Sequence, residues 1–239
     1  MPLAEIAALL ADHTRASFCL ALLDGRAWTA GELARHAGVS PSTASEHLSR
    51  LVAAGLLVEE RQGRHRYVRL ADARTATLIE ELSGHPLAGD AASPPENLRA
   101  SVRRSAEARA RLCYDHLAGD LGVAVADAAL ERGLVSDEAG LAVTGTGVDW
   151  LAGLGIDVGA MPRSRPALRS CLDWTVRRPH LAGAVGAALC RRSFELGWVQ
   201  RIGTGRALRV TPDGAGALRE LLGVTVTPGS AGGGAAEIR

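Results

Sequence analysis

Six residues in the second half of the chain bring together side chains able to hold a metal ion or sense an oxidant: Cys113, Asp115 and His116, then Cys171, Asp173 and His180. Thiolate, imidazole and carboxylate are all ligands of zinc-like ions, so two such groups facing each other could supply a four-ligand site. Ordinary packing is the competing reading. On a helix Cys113 and His116 would lie three apart on one face, and a free cysteine behaves as a small buried hydrophobe. The other two thiols read as core, because Cys19 sits in an apolar helical stretch and Cys190 stands where Ala126 stands in a repeated segment. None of the four cysteines forms the close pair of a thioredoxin site or a zinc ribbon, and the chain opens without a signal-peptide pattern, so a reduced, cytoplasmic protein is expected.

The repeat is what ties the two groups together. The segment "HLAGDLGVAVADAALERGLV" from His116 aligns with "HLAGAVGAALCRRSFELGWV" from His180, 64 positions on, and "LAVTGTG" from Leu141 aligns with "LRVTPDG" from Leu208, 67 positions on. Cys113 precedes its histidine by three residues and Cys171 by nine. Each copy reads as a helix, a strand and a Thr-started helix, which predicts a pseudo-duplicated helical domain with short ribbons at 134–144 and 198–211. Trp150, Trp174 and Trp198 fall in this half and could line an apolar effector pocket, although core packing accounts for them equally.

A second set of chemistry-bearing residues lies nearer the start. "TAGELARHAGV" places Thr29 as an N-cap with Glu32 three residues later, and Gly38 stops the helix after a few turns. Ser40 caps a further helix with Pro41 at its first position, where a missing N–H costs nothing, and this helix runs to Gly55. Ala44, Leu48, Leu51 and Val52 make one apolar stripe, leaving Ser42, Thr43, Ser45, Glu46, His47, Ser49 and Arg50 facing outward. Short hydroxyl side chains at a helix N-terminus let backbone approach base edges in a major groove. Beyond Gly55, "LLVEERQGRHRYVRLAD" reads as a hairpin tipped by Arg61, Arg64, His65 and Arg66, cations suited to phosphates or a minor groove.

"VSPSTASEHLSRLVAAGLL" followed by "VEERQGRHRYVRL" resembles the recognition helix and wing of ArsR-type regulators, over residues 5 to 82. The resemblance implies a homodimer built by the first and last helices of the module and bound to a double-stranded DNA operator. The contacts would come from Ser40, Ser42, Thr43, Ser45, His47, Arg50, Arg61, Arg64 and Arg66. It does not carry over a metal site: "TAGELARHAGV" has no cysteine, and "ADARTATLIEELSGH" lacks the paired Asp and His ligands of the family's last helix. Any cofactor, a metal ion or a small-molecule effector, would therefore bind in the second half.

Composition narrows the rest. A net charge of +1, with 27 arginines and no lysine, excludes a bulk polycation and confines any nucleic-acid affinity to local clusters. No apolar run reaches the roughly 18 residues a membrane span needs. A Gly-rich phosphate loop, HExxH, GxSxG and paired catalytic carboxylates are all missing, so an enzyme is not expected. The chain reads as mainly α with short β-hairpins: a winged helix-turn-helix over 1–83, a linker over 84–97, the duplicated domain over 98–225 and a disordered tail over 226–239. The function that follows is a dimeric repressor released by an effector of the second half. A metal- or thiol-redox-sensing regulator and a protein-binding winged helix are the alternatives.

Overall fold

The computed structural model describes residues 3–62, 65–84, 98–138, 140–203 and 205–228. Two compact units divide it at Ser83 and Gly84. The linker residues 85–97 and the end of the chain from 229 lie outside the described residues.

The first unit runs α1 (Leu3–Leu10), α2 (His13–Leu22), β1 (Trp28–Thr29), α3 (Ala30–Ala37), α4 (Pro41–Ala53), β2 (Leu57–Gln62), β3 (His65–Leu70) and α5 (Ala73–Gly84). The long apolar stretch at the start divides into two helices because Asp12 caps the second, its carboxylate accepting from the Arg15 amide. Arg15 then turns back and donates to the Ala8 and Leu9 carbonyls, satisfying acceptors that α1 leaves open at its end.

The Thr29–Glu32 capping box closes in full: the Glu32 amide donates to Thr29 Oγ1, and the Thr29 amide to the Glu32 carboxylate at 2.7 Å. Thr29→Ala is expected to lower the stability of this unit by about 1 kcal/mol, read as a shift in the urea midpoint with unchanged slope. Gly38, at φ 67°, makes the turn into α4. Leu33, Ala44, Leu48 and Leu51 are buried with Phe18 and Leu22, which seats α4 on α2 and α3. The wing has a third strand: β1 adds antiparallel to β3, Trp28 opposite Val68, giving the order β1-β3-β2.

The second unit runs α6 (Leu98–Arg109), β4 (Arg111–Cys113), β5 (His116–Ala118), α7 (Gly119–Glu131), β6 (Val135–Ser136), β7 (Ala142–Val143), α8 (Gly145–Gly153), β8 (Arg169–Leu172), β9 (Pro179–Ala182), α9 (Gly183–Glu195), β10 (Val199–Arg201), β11 (Leu208–Val210) and α10 (Pro212–Leu222). Each copy is a hairpin, a long helix, a second hairpin and a Thr-capped helix. Matching atoms do matching work in both. Thr144 Oγ1 donates to the Gly133 carbonyl and accepts from the Gly147 amide, and Thr211 Oγ1 donates to the Gly197 carbonyl and accepts from the Gly214 amide. The copies share one core, with Leu121, Leu134, Val185, Val199, Leu208 and Leu218 among its buried members. That core extends to Val226, which is 3% exposed, so this first residue of the expected disordered tail is packed instead.

Candidate nucleic-acid interface and Cys/His centre

The solvent side of α4 begins with a knot of hydroxyls. Ser40 Oγ accepts from the Thr43 amide at 3.2 Å and lies 2.9 Å from Ser42 Oγ and 2.8 Å from Thr43 Oγ1. Ser42, Thr43, Ser45 and Arg50 are exposed, and Arg50 reaches back one turn to Glu46 at 2.7 Å. His47 is placed differently from the expectation of a contact residue. Its side chain is only 17% exposed, and Nδ1 stands 3.6 Å from Asp12 and 3.3 Å from the Arg15 guanidinium. It therefore joins α4 to α2, held there by the group that closes α1, and is withdrawn from the outward face.

On the wing, Arg61 and Arg66 are partners directly across the β2–β3 ladder. Like charges facing each other across a strand pair weaken it, so this arrangement does nothing for folding by itself. Glu59 offsets it: Arg66 Nε donates to the Glu59 carboxylate at 2.7 Å, while Arg61 stays 78% exposed, 3.8 Å from the same group. Arg66 Nη1 also reaches Ser49 on α4 at 3.5 Å, tying wing to helix. Arg64 lies outside the described residues.

In the second unit, Cys113, His116, Cys171 and His180 converge, with one ligand-type atom of each within 4.8 Å of all the others and every residue buried. The helical reading of Cys113 and His116 is corrected here, because they sit on paired strands. Cys113 is the Cα partner of His116 across β4–β5, and Cys171 is the Cα partner of His180 across β8–β9. The unequal spacings become equal geometry, since the first hairpin turns through Tyr114 and Asp115 alone, whereas the second carries a longer loop from Asp173 to Arg178. Tyr114 takes φ 57° to make the tighter turn. The helices cross over between copies, α7 lying on β9 and α9 on β5. Glycines permit this close approach: a Cβ on Gly122 would meet the Leu117 carbonyl and stand 3.5 Å from His180 Cβ, and one on Gly186 would meet the Leu181 carbonyl and stand 3.4 Å from His116 Cβ. The two imidazoles face each other with centroids 5.0 Å apart.

Asp115 and Asp173 do not join the four; each stands behind a histidine and is held by an arginine. Asp115 Oδ1 lies 3.2 Å from His116 Nδ1 and accepts from Arg165 Nη2 at 3.0 Å. Burial works against its charge, but His116 and Arg165 overcome that and hold its pKa at about 2. Asp173 Oδ2 lies 3.4 Å from His180 Nδ1 and 3.0 Å from Arg111 Nη2, both side chains of this ion pair being fully buried. It also accepts from the Gly119 amide at 2.7 Å, capping α7 from the other copy. Burial again opposes the charge, and Arg111, Thr175 and these amides keep Asp173 well below the usual carboxylate range.

The thiols divide sharply. Burial pushes Cys19 up to about 11 and Cys190 up to about 12, as inert core groups. Cys171, hydrogen-bonded by Cys113 and close to His116 and His180, is pulled far below the usual thiol range despite its burial.

Arg111 Cζ lies over the Trp174 ring, 4.9 Å from the ring centroid, and Trp150 lines an apolar space of about 10 Å³, far below the volume an organic effector needs. A more polar cleft of about 440 Å³ opens beside Arg165, Arg191 and Arg192.

Among the described residues, no helix is long and apolar enough to cross a membrane. Residues 10–60 match the helix-turn-helix domain family. The chain is 40% identical over 230 residues to the HTH-type transcriptional regulator YdfF of Bacillus subtilis (strain 168), covering 94% of this chain and 98% of that protein. It is 39% identical over 105 residues to the HTH-type transcriptional regulator CmtR of Mycobacterium tuberculosis (strain H37Rv), covering 44% of this chain and 88% of the relative. The solved NMR structure of the cadmium metal-sensor CMTR from that organism aligns with 41% of this chain and all of its own, at 40% identity and a TM-score of 0.31. These relatives are transcriptional regulators, and the near-complete match to YdfF places the chain among them: it belongs to the HTH-type transcriptional regulators, with a winged helix-turn-helix unit followed by an additional C-terminal part.

Proposed function

We propose that the chain is a dimeric repressor that lays α4 in the major groove of an operator and closes its wing on the flanking backbone. An effector held at the Cys/His centre of the second unit shifts it to a weak-binding state. The observation that carries the DNA reading is the exposed hydroxyl face of Ser42, Thr43 and Ser45 on a helix seated by buried Leu48 and Leu51, flanked by an exposed Arg61. Small polar side chains read base edges at close range, while arginine neutralises phosphate without reading sequence.

Dimerisation through α1 and α5 is supported by what these helices leave uncovered. In α1, Leu3, Ile6, Leu9 and Leu10 recur at helical spacing, yet none of its residues is buried. Leu3 is 83% exposed, and Leu82 on α5 is 56% exposed. A second copy would cover both and pair two recognition helices with a two-fold operator.

The wing assignment is tested by salt. Arg61→Ala is expected to weaken binding to all duplex sequences alike and to reduce the slope of log K against log salt by about 0.9, the contribution of one phosphate contact. An unchanged slope in an anisotropy titration would remove Arg61 from the interface.

A further inference from the structure

The Cys/His centre has the composition and symmetry of a closed metal site, and we infer that Cys113, His116, Cys171 and His180 together bind one Zn²⁺-class ion per chain. Three features carry this. Each copy contributes one thiol and one imidazole from directly opposed strand positions, so four donors approach a common centre from two hairpins. A tetrahedral ion with metal–sulfur and metal–nitrogen bonds of about 2.3 and 2.0 Å would bring the two sulfurs to about 3.8 Å. The observed separations, none above 4.8 Å, would close by at most about 1.5 Å to reach the corresponding tetrahedral spacings.

The third feature is the carboxylate behind each ring. Asp115 Oδ1 at 3.2 Å from His116 Nδ1 favours the tautomer that carries the proton on Nδ1 and offers the Nε2 lone pair, and Asp173 Oδ2 stands 3.4 Å from His180 Nδ1, an ion-pair distance that favours the same ring orientation. His180 has no solvent exposure, both of its ring nitrogens are buried without an ordinary nitrogen or oxygen partner, and the ring lies against the Cys171 thiol. Because each Asp is already paired with its own arginine, neither is left to ligate. The charge also closes: two thiolates neutralise a divalent ion, which suits a buried site next to Ala118 and Ala182.

Two thiolates with two imidazoles select a tetrahedral, thiophilic ion, Zn²⁺ or Cd²⁺, over Mg²⁺ or Ca²⁺, which take oxygen ligands. Such an ion clamps the hairpin of one copy to that of the other, so ion binding is also folding free energy for this unit. Its role as the effector rests on the repressor reading above, whereas its binding does not.

The test uses the full chain without DNA. Metal-stripped protein titrated with Co²⁺ is expected to show saturable tetrahedral d–d bands and thiolate-to-metal charge transfer at one equivalent, displaced by one equivalent of Zn²⁺. Cys171→Ser should abolish the signal, Cys190→Ser should leave it, and Asp115→Asn should weaken affinity about 10–100-fold through the orientation of His116. If Cys171→Ser does not fold, the wild-type charge-transfer intensity still counts the thiolates, and two is the expected number. A folded wild-type chain that shows only the octahedral aqua spectrum with Co²⁺, or that retains no Zn²⁺ through gel filtration, would overturn the site. Operator affinity of stripped and loaded protein, measured separately, decides the effector role.

Discussion

Asp173→Ala is expected to destabilise the second unit by about 3–5 kcal/mol, because it strands the Arg111 guanidinium as an uncompensated charge in a site with no solvent exposure. The loss is larger than for a surface pair because so much converges on one carboxylate. It takes two contacts from Arg111, at 3.2 and 3.0 Å, the Thr175 and Val176 amides, the Thr175 hydroxyl and the amide that starts α7. Removing it breaks the ion pair, a loop and a helix cap that joins the copies. Fluorescence from Trp150, Trp174 and Trp198 during urea unfolding reads the effect, since three of the four tryptophans lie in this unit. Replacing Arg111 and Asp173 together by apolar residues of similar volume should restore much of the stability, as is usual when the stranded charge is removed with its partner. A single Asp173→Ala midpoint within error of wild type would show that the pair is not what holds the hairpins together.

The second large effect belongs to the recognition helix. Thr43→Ala and Arg50→Ala are each expected to weaken specific DNA binding by about 1–3 kcal/mol, roughly 5–150-fold, with little change in the urea midpoint, because both side chains are exposed and make only local contacts. His47→Ala should do the reverse. It loosens the contacts with Asp12 and Arg15 that link α4 to α2, so stability falls while the ratio of specific to non-specific affinity is kept. Equal loss of specificity from all three substitutions would mean that His47 turns outward on DNA.

The winged helix was legible because its signals are local. Thr29 with Glu32, Ser40 with Pro41, and Gly38 at the turn each specify a helix end through atoms a few residues apart, and the structure closes every one of these bonds. The contacts of His47 with Asp12 and Arg15 have no local signal, because those partners lie more than thirty positions away in sequence. The two-residue strand β1 is too short to show any alternation.

In the second unit the repeat points to Cys113, His116, Cys171 and His180, which the structure brings together, but not to their strand geometry. His116 and His180 keep the repeat offset, but Cys113 and Cys171 do not, because the loop after Asp173 is longer than the turn at Asp115. That broken offset was itself the available clue: two residues that change spacing yet stay paired belong on hairpins of different loop length, not on one helix. The roles of Asp115 and Asp173 depended on Arg165 and Arg111, which no spacing rule connects to them.

The most direct test of the account is to select duplexes from a random library with the full chain and then titrate the winner with wild type and the Thr43→Ala, Arg50→Ala double variant. The account predicts an enriched near-palindrome with half-sites about 10 base pairs apart centre to centre. It also predicts salt-dependent binding that the double variant loses for that site while keeping affinity for unrelated duplex. Failure of any sequence to be enriched, or an operator affinity that the double variant leaves unchanged, would contradict the placement of α4 in the groove.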